Sequence, residues 1–277
     1  MASTQRGNHR WTRAFSDAKI AVRIVTRKPF VSVTPRIAPL SARTARPDRP
    51  LFIGTSILVL VIIFAGFAQT FYLKSWFGTP PLSNLLFLHG IVMSAWLMLF
   101  MVQTALVEFG RTDLHRRLGI AGVALAALVL IVGVVAALDA GRRGFSPAPQ
   151  VTPQMFLAIP LVDMVVFAIF VGLALAKRRN SGTHKRLMLL GTVSMLTPAV
   201  ARLPVDALKQ GGLPAFFAIT VAIVIVIVVI DTVRHRRLHP AFGWGAALLI
   251  AAVPARIALA QSDAWVSIAD RLIALAR

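Results

Sequence analysis

Long apolar stretches, each with at most one charged residue, alternate with short polar turns over most of this chain. A helix of about 20 apolar residues crosses the roughly 30 Å of hydrocarbon in a bilayer. Lipid permits only helices or closed barrels, because no water is present to bond a free backbone. The pattern therefore predicts an all-α, polytopic membrane helix bundle of about seven transmembrane helices. The predicted spans cover residues 51–73, 84–107, 118–138, 154–176, 187–203, 215–230 and 241–260.

Composition agrees with a membrane protein and excludes several kinds of site. The chain is 57% hydrophobic and 14% charged, whereas soluble domains carry about 25% charged residues. It has no cysteine, which excludes disulfides, iron–sulfur clusters, thiolate metal sites and cysteine nucleophiles. The net charge of +20 would indicate nucleic acid in a soluble protein. Because the basic residues lie at the ends of apolar runs, we expect the lipid bilayer as partner and no nucleic acid.

The charge pattern predicts an orientation. The first 50 residues and the turns after the second, fourth and sixth spans hold eleven, three, five and three Lys or Arg. The alternate loops hold one, two and, with Arg202 at the end of the fifth span included, two. Positive charge is retained on the cytoplasmic side of a membrane. We therefore predict a multi-pass protein of a bacterial inner (plasma) membrane, with its N-terminus cytoplasmic and its C-terminus outside.

Two segments flank the predicted bundle of residues 51–260. Residues 1–50 are basic and contain no run long enough to span a bilayer, which predicts a disordered cytoplasmic tail. A transit peptide or an over-extended translation start would have the same composition. Residues 261–277 predict an amphipathic helix at the membrane interface, capped by Ser262 or Asp263. Its predicted apolar face comprises Trp265, Ile268, Leu272 and Leu275.

One short string occurs three times, each time before a predicted span. It reads His-Arg-Arg-Leu at His115, His-Lys-Arg-Leu at His184 and His-Arg-Arg-Leu at His235. The recurrence favours three related helical hairpins after a separate first helix. The alternative is that basic residues beside any polar residue merely satisfy the orientation rule.

The second predicted span carries a row of polar side chains. His89, Trp96 and Gln103 are seven residues apart and therefore share one face of a helix. An ionisable residue in a membrane faces the bundle interior or water, because lipid exposure costs several kcal/mol. His89 is thus a candidate haem ligand or proton-relay group. The alternative is a neutral histidine bonded to a neighbouring group.

Three further charged residues are expected at a similar depth in the outer half of the bundle. Asp163 lies in the fourth span, Arg202 near the end of the fifth and Arg256 near the end of the seventh. A buried aspartate must be paired or protonated. We predict that Asp163 pairs with Arg202 and lines an outward-facing polar pocket with His89. Arg256 is expected to extend its head group toward water.

Three motifs carry a resemblance to known proteins. They are His89-Gly90 with Gln103, the string DLHRRLG at 113–119, and THKRLMLLG at 183–191. At these positions the chain resembles a group of uncharacterised bacterial multi-pass membrane proteins, which distantly resembles diheme cytochrome b-type electron carriers. The resemblance implies haem b, with His115 and His184 as axial ligands and adjacent arginines holding the propionates. His89 has no second outer histidine beside it, so one inner haem is implied rather than two.

Three functions remain open at this point. The first is a haem-binding or redox-linked electron-transfer protein with iron between His115 and His184. The second is a small-molecule or proton-coupled transporter built on the pocket of His89, Asp163 and Arg202. The third is a structural or assembly subunit bound to a membrane-protein partner or to further copies of itself. No hydrolase motif, phosphate loop or zinc-binding helix motif is present, so we expect no hydrolytic enzyme.

Overall fold

The computed structural model describes residues 49–276, so the predicted tail at 1–50 lies almost wholly outside the described residues. The described part is helical throughout and contains no strand, which confirms the predicted fold class. Its nine α-helices are α1 (Arg49–Phe67, continued by a π-helical stretch at Ala68–Tyr72), α2 (Asn84–Glu108), α3 (Thr112–Arg142), α4 (Pro153–Ala176), α5 (Ser181–Val193), α6 (Thr197–Val200), α7 (Asp206–His235), α8 (Pro240–Ala260) and α9 (Asp263–Leu275).

Six of these helices are long and apolar enough to cross a membrane: α1 with its π-helical extension, α2, α3, α4, α7 and α8. Their outward faces carry large apolar side chains, such as Val61 (56% exposed) on α1 and Val226 (55% exposed) on α7. Apolar surface on this scale is stable only when lipid or another protein covers it. The protein is therefore a membrane helix bundle, and the predicted count of seven continuous spans is too high by one.

The predicted span at 187–203 is a broken helix. It consists of α5 and the four-residue α6, separated by residues 194–196. Pro198 lies in the first turn of α6; it has no N–H to bond the carbonyl of Ser194, and its ring crowds that carbonyl. Irregular backbone at membrane depth is tolerated where protein covers it. Here Leu196, Ala199 and Val200 are fully buried.

The broken segment lies at the centre of the bundle. Its apolar residues share one hydrophobic cluster with residues of α1, α2, α4, α7 and α8. Gly66 of α1 packs against α6 so closely that a Cβ at this position would overlap the carbonyl of Ala199. α6 also meets α7 through the hydroxyls of Thr197 and Thr220, which are 3.1 Å apart. Contacts with the surrounding helices thus stabilise the interruption between α5 and α6.

The turns after α2, α4 and α7 lie at one end of the bundle. We name it the basic end, because these turns and the helix ends beside them hold most of the arginines and lysines of the described residues. At the opposite end, α9 packs across the ends of α3 and α4. Its Trp265 indole donates to the carbonyl of Gln154 (2.8 Å), whose amide donates to Asp270 (2.8 Å). The predicted interfacial helix is therefore bound to the bundle by hydrogen bonds.

The face that α9 turns to the bundle differs from the predicted one. Trp265, Ala269 and Ile273 are buried, while Ile268 and Leu275 are 49% and 85% exposed. The buried residues are spaced four apart, as one side of a helix requires. Small Ala269, with no exposed surface, permits the close approach of α9. Of the residues on the predicted apolar face, Trp265 is thus buried against the bundle, whereas Ile268 and Leu275 remain exposed.

Candidate functional site

The structure brings His115 and His184 together near the basic end. Their ring centroids are 6.3 Å apart and the two ring planes are inclined by 82°. His115 lies in the first turn of α3 and His184 in the first turn of α5, and both are half-buried. Two hairpins distant in sequence therefore place two imidazoles beside each other.

The repeated string has the same placement in two of its three copies. α3 begins at Thr112 and α5 at Ser181, so each helix starts three residues before its histidine. His235 is instead the last residue of α7, and its Nδ1 lies 2.7 Å from the carbonyl oxygen of Asp231. The interpretation as repeated hairpins thus fits the α2–α3 and α4–α5 hairpins but not the third.

The ring of His184 is held in one tautomer. Its Nδ1 lies 2.8 Å from the carbonyl oxygen of Ala174 on α4. A carbonyl can only accept a hydrogen bond, so in the neutral ring Nδ1 carries the hydrogen and Nε2 keeps its lone pair. This arrangement is typical of a histidine whose Nε2 binds a metal. It would equally stabilise a histidine with a purely structural role.

His115 lies beside a second polar group that lacks a partner. Nδ1 of His115 and Oε1 of Gln103 are both buried without a hydrogen-bond partner. The side chain of Gln103 contacts α3 at Gly119, one turn after His115. Its amide nitrogen lies 3.8 Å from the place that a Cβ would occupy on Gly119. An unpaired buried polar atom costs about 1–3 kcal/mol. The backbone of Gln103 also interacts with the ring of His115, so α2 and α3 are in polar contact here.

The predicted polar row of α2 points into the bundle. Trp96 is 2% exposed and its ring contacts Phe167 edge-on, with centroids 5.0 Å apart. Nδ1 of His89 and Nε1 of Trp96 are also buried and unpaired. We name His89, Trp96, Gln103 and His115 the polar seam. The polar seam contains four of the five buried side-chain nitrogen and oxygen atoms that lack a hydrogen-bond partner in the described residues. From His89 to Gln103 it extends about 21 Å along α2, at 1.5 Å per residue.

The predicted pairing of Asp163 with Arg202 is wrong. Arg256 donates to Asp163 at 2.6 Å, and both side chains are 4% exposed. The same guanidinium lies over Phe217, 4.8 Å from the ring centre. α8, which carries Arg256, packs along α4 in the core, so Arg256 does not extend toward water as predicted.

Arg202 lies at the end of the bundle opposite the basic end, and it has other partners. Its guanidinium donates to the carbonyl of Pro198 (2.8 Å) and sits 4.9 Å from the centre of the Phe67 ring. It therefore faces α1 and does not bond Asp163. His89 contacts the backbone of Val132 on α3 and lies close enough to Arg202 to interact with it electrostatically.

A second buried ion pair was not predicted. Arg186 donates to both carboxylate oxygens of Asp231, at 2.9 and 2.7 Å, and the two side chains are 4% and 0% exposed. The sequence places Asp231 at the start of a basic turn, whereas in the structure it belongs to the last turns of α7. The signal in the sequence was that Asp231 is the single acidic residue in a predicted turn with three arginines, which indicates an ion pair.

The Arg186–Asp231 pair removes Arg186 from the arginines that the resemblance implies for the haem propionates. Arg186 is fully engaged, because its remaining Nη1 donates to the carbonyl of Gly182 at 2.9 Å. The arginines adjacent to the histidine pair that stay exposed are Arg116 and Arg117. Among the described residues, these two arginines are open to an additional anionic group beside His115.

Comparisons with protein-family models, with characterised proteins and with solved structures found no match to this chain. The cytochrome b resemblance therefore depends on the short motifs alone. Among residues 49–276, no group of three or more histidine, aspartate or glutamate side chains is arranged to hold a metal ion. The candidate ligand set at the basic end is thus the pair His115 and His184.

Proposed function

We propose that this protein is a haem-binding, redox-linked membrane protein in which His115 and His184 are the axial ligands of one haem b. The observation that carries the proposal is the 6.3 Å separation of the two ring centroids. Two imidazoles this close could both hold one iron, each through a ring nitrogen.

The composition of the site supports haem over an ion held by protein alone. Zinc sites use three or four protein ligands, whereas haem iron needs only axial ligands from the chain. When bound, haem supplies a one-electron iron couple. His115 and His184 would hold it, the Ala174 carbonyl would orient His184, and Arg116 and Arg117 are available to its propionates.

We further propose that the basic end faces the cytoplasm of a bacterial cell. The turns after α2, α4 and α7 together hold more Lys and Arg than the opposite loops, as the positive-inside rule requires of cytoplasmic turns. The histidine pair would then lie near the inner surface of the membrane. A redox partner at that surface would have the shortest path to it.

The transport alternative has weaker support. It requires an open polar pocket around Asp163, and the Asp163–Arg256 pair is closed, buried and mutually satisfied. A structural or assembly role remains as the outcome in which no haem is bound at all. Visible absorption spectra of the purified protein and its variants distinguish the haem proposal from both alternatives.

The experiment compares three single variants expressed with ample haem. His115→Ala and His184→Ala should each abolish or strongly shift the Soret band of the purified protein, while His235→Ala should retain it. His235 is the matched control, because it has the same local string but bonds within α7. Gel filtration and far-UV circular dichroism establish that each variant is folded. Haem retained at wild-type stoichiometry in both His115→Ala and His184→Ala would refute the assignment.

A further inference from the structure

A groove with a volume of about 380 Å³ lies between α1 and α7 and reaches the basic end. One face of α1, from Pro50 to Leu58, forms one wall, and one face of α7, from Ile219 to Arg234, forms the other. The helices run in opposite directions, because α1 begins and α7 ends at the basic end. The α7 wall extends about 22 Å at 1.5 Å per residue. The groove is therefore long enough to cross one leaflet, which is roughly 15 Å of hydrocarbon.

The side chains of α1 leave this groove open. Gly54 is one of its lining residues, and a Cβ added at Gly54 has no heavy atom within 4 Å. The close contact of α1 with the bundle lies further along, where Gly66 meets the backbone of Ala199. Leu58 and Val226 line the groove and are 45% and 55% exposed. Apolar surface of this kind is stable when another apolar group covers it.

A hydroxyl without a partner lies inside the groove. Thr55 lines the groove and is only 5% exposed. The next residue, Ser56, donates its hydroxyl to the carbonyl of Phe52 at 2.7 Å. Thr55, in contrast, makes no hydrogen bond through its hydroxyl within residues 49–276. A polar group that leaves water without a partner costs free energy, so this hydroxyl indicates a bound group that accepts its hydrogen.

A single cation stands at the end of the groove. Arg234 lies in the last turn of α7, is exposed and lines the groove. It forms no ion pair with any of the described residues, and the described lining contains no acidic side chain. Helix ends at this side of a bundle lie at the level of the lipid head groups. The groove thus combines apolar walls, a buried donor and a free positive charge at the head-group level.

We propose that the groove binds an anionic phospholipid, with one acyl chain between α1 and α7. Thr55 donates to an ester carbonyl of the lipid, and Arg234 pairs with its phosphate. Charge favours this occupant over the first 50 residues of the chain, which hold eleven Lys or Arg and two acids. Such a segment would bring further positive charge to Arg234, whereas an anionic head group neutralises it.

The test uses variants of the full chain with matched controls. Arg234→Gln removes the cation of the groove, and Arg178→Gln removes an exposed cation of the same end outside the groove. Gly54→Leu fills the groove, and Gly172→Leu adds the same side chain to α4, where a Cβ also has open space. Thr55→Val removes the hydroxyl, and Thr55→Ser retains it. Native mass spectrometry in detergent follows titration with phosphatidylglycerol or with phosphatidylcholine of the same acyl chains.

The wild type should bind one phosphatidylglycerol about fivefold more tightly than phosphatidylcholine, as expected for one arginine near an anionic head group. Arg234→Gln should remove this preference. Thr55→Val should weaken binding of both lipids by about threefold or more, and Thr55→Ser should keep wild-type affinity. Gly54→Leu should abolish binding of both lipids. Arg178→Gln and Gly172→Leu should match the wild type, and circular dichroism establishes that every variant is folded.

Equal affinity of the wild type for the two lipids, unchanged binding by Gly54→Leu, or equal effects of groove variants and controls would overturn the proposal. A lipid-free dimer that Gly54→Leu dissociates would also overturn it and would identify a second copy of the chain as the occupant. The groove includes neither His115 nor His184. Lipid binding can therefore fail or succeed independently of haem binding.

Discussion

The buried pair Asp163–Arg256 gives a prediction whose size follows from the structure. Both side chains are 4% exposed, so neither is screened by water. Breaking a buried pair costs about 3–5 kcal/mol, because one charge remains uncompensated. The guanidinium left by Asp163→Leu cannot lose its charge, whereas the carboxylate left by Arg256→Met can take up a proton. We therefore expect Asp163→Leu to be the more destabilising change.

The expected losses differ by partner. Asp163→Leu should cost about 3–5 kcal/mol, reduced by the contacts that Arg256 keeps with Phe217 and with the carbonyl of Ala252. Arg256→Met should cost about 1–3 kcal/mol, which includes the lost cation–π contact. The double variant should cost less than the sum of the two, since an apolar pair replaces an ionic one.

The assay is reversible unfolding in mixed micelles, followed by far-UV circular dichroism, with the four proteins forming a double-mutant cycle. Asp139→Asn is the control, because Asp139 pairs with Arg142 and Arg143, whose side chains are 46% and 45% exposed, and pairs open to solvent contribute about 0–1 kcal/mol. Single variants within about 1 kcal/mol of the wild type, or strictly additive losses, would refute the reasoning.

Three further predictions concern packing, pH and orientation. Gly66→Val should destabilise by several kcal/mol, because a Cβ there meets backbone, whereas Gly54→Val, with open space at its Cβ, should be near neutral in the same unfolding assay. Burial, followed by neighbouring positive charge, lowers the pKa of His239 below its usual 6.5. The neutral His239 should therefore stabilise the fold fully above pH 6.5, and this contribution should be lost as the pH falls. His239→Asn should flatten that part of a plot of stability against pH. Since the native chain has no cysteine, Arg178→Cys should react with an impermeant thiol reagent only in inside-out vesicles and Ser146→Cys only in intact cells; the reverse labelling would contradict the orientation.

The spans could be predicted from the sequence because the bilayer leaves a chain few choices. Where apolar runs of sufficient length occur, helices must form, and six of the seven predicted spans are long helices. The broken segment at α5–α6 depended on tertiary contacts. Pro198 marked a weak point, but only the surrounding helices determine whether a proline bends a helix or ends it.

The candidate site was partly predictable for a related reason. Three copies of one string predicted related hairpins, and the resemblance implied that His115 and His184 form a pair; the structure places these two side by side. Pair partners could not be inferred in the same way. Arg202 and Arg256 are expected at similar depth, and the choice between them depends on α8 packing along α4, which no local pattern encodes.

The most direct test of the central claim is a visible spectrum of the purified wild-type protein, recorded before and after dithionite together with a haem-to-protein ratio. Two axial imidazoles at the 6.3 Å separation of His115 and His184 predict a low-spin haem b, with a Soret band, sharp α and β bands on reduction, and about one haem per chain. A flat spectrum from protein made in haem-replete cells would contradict the account.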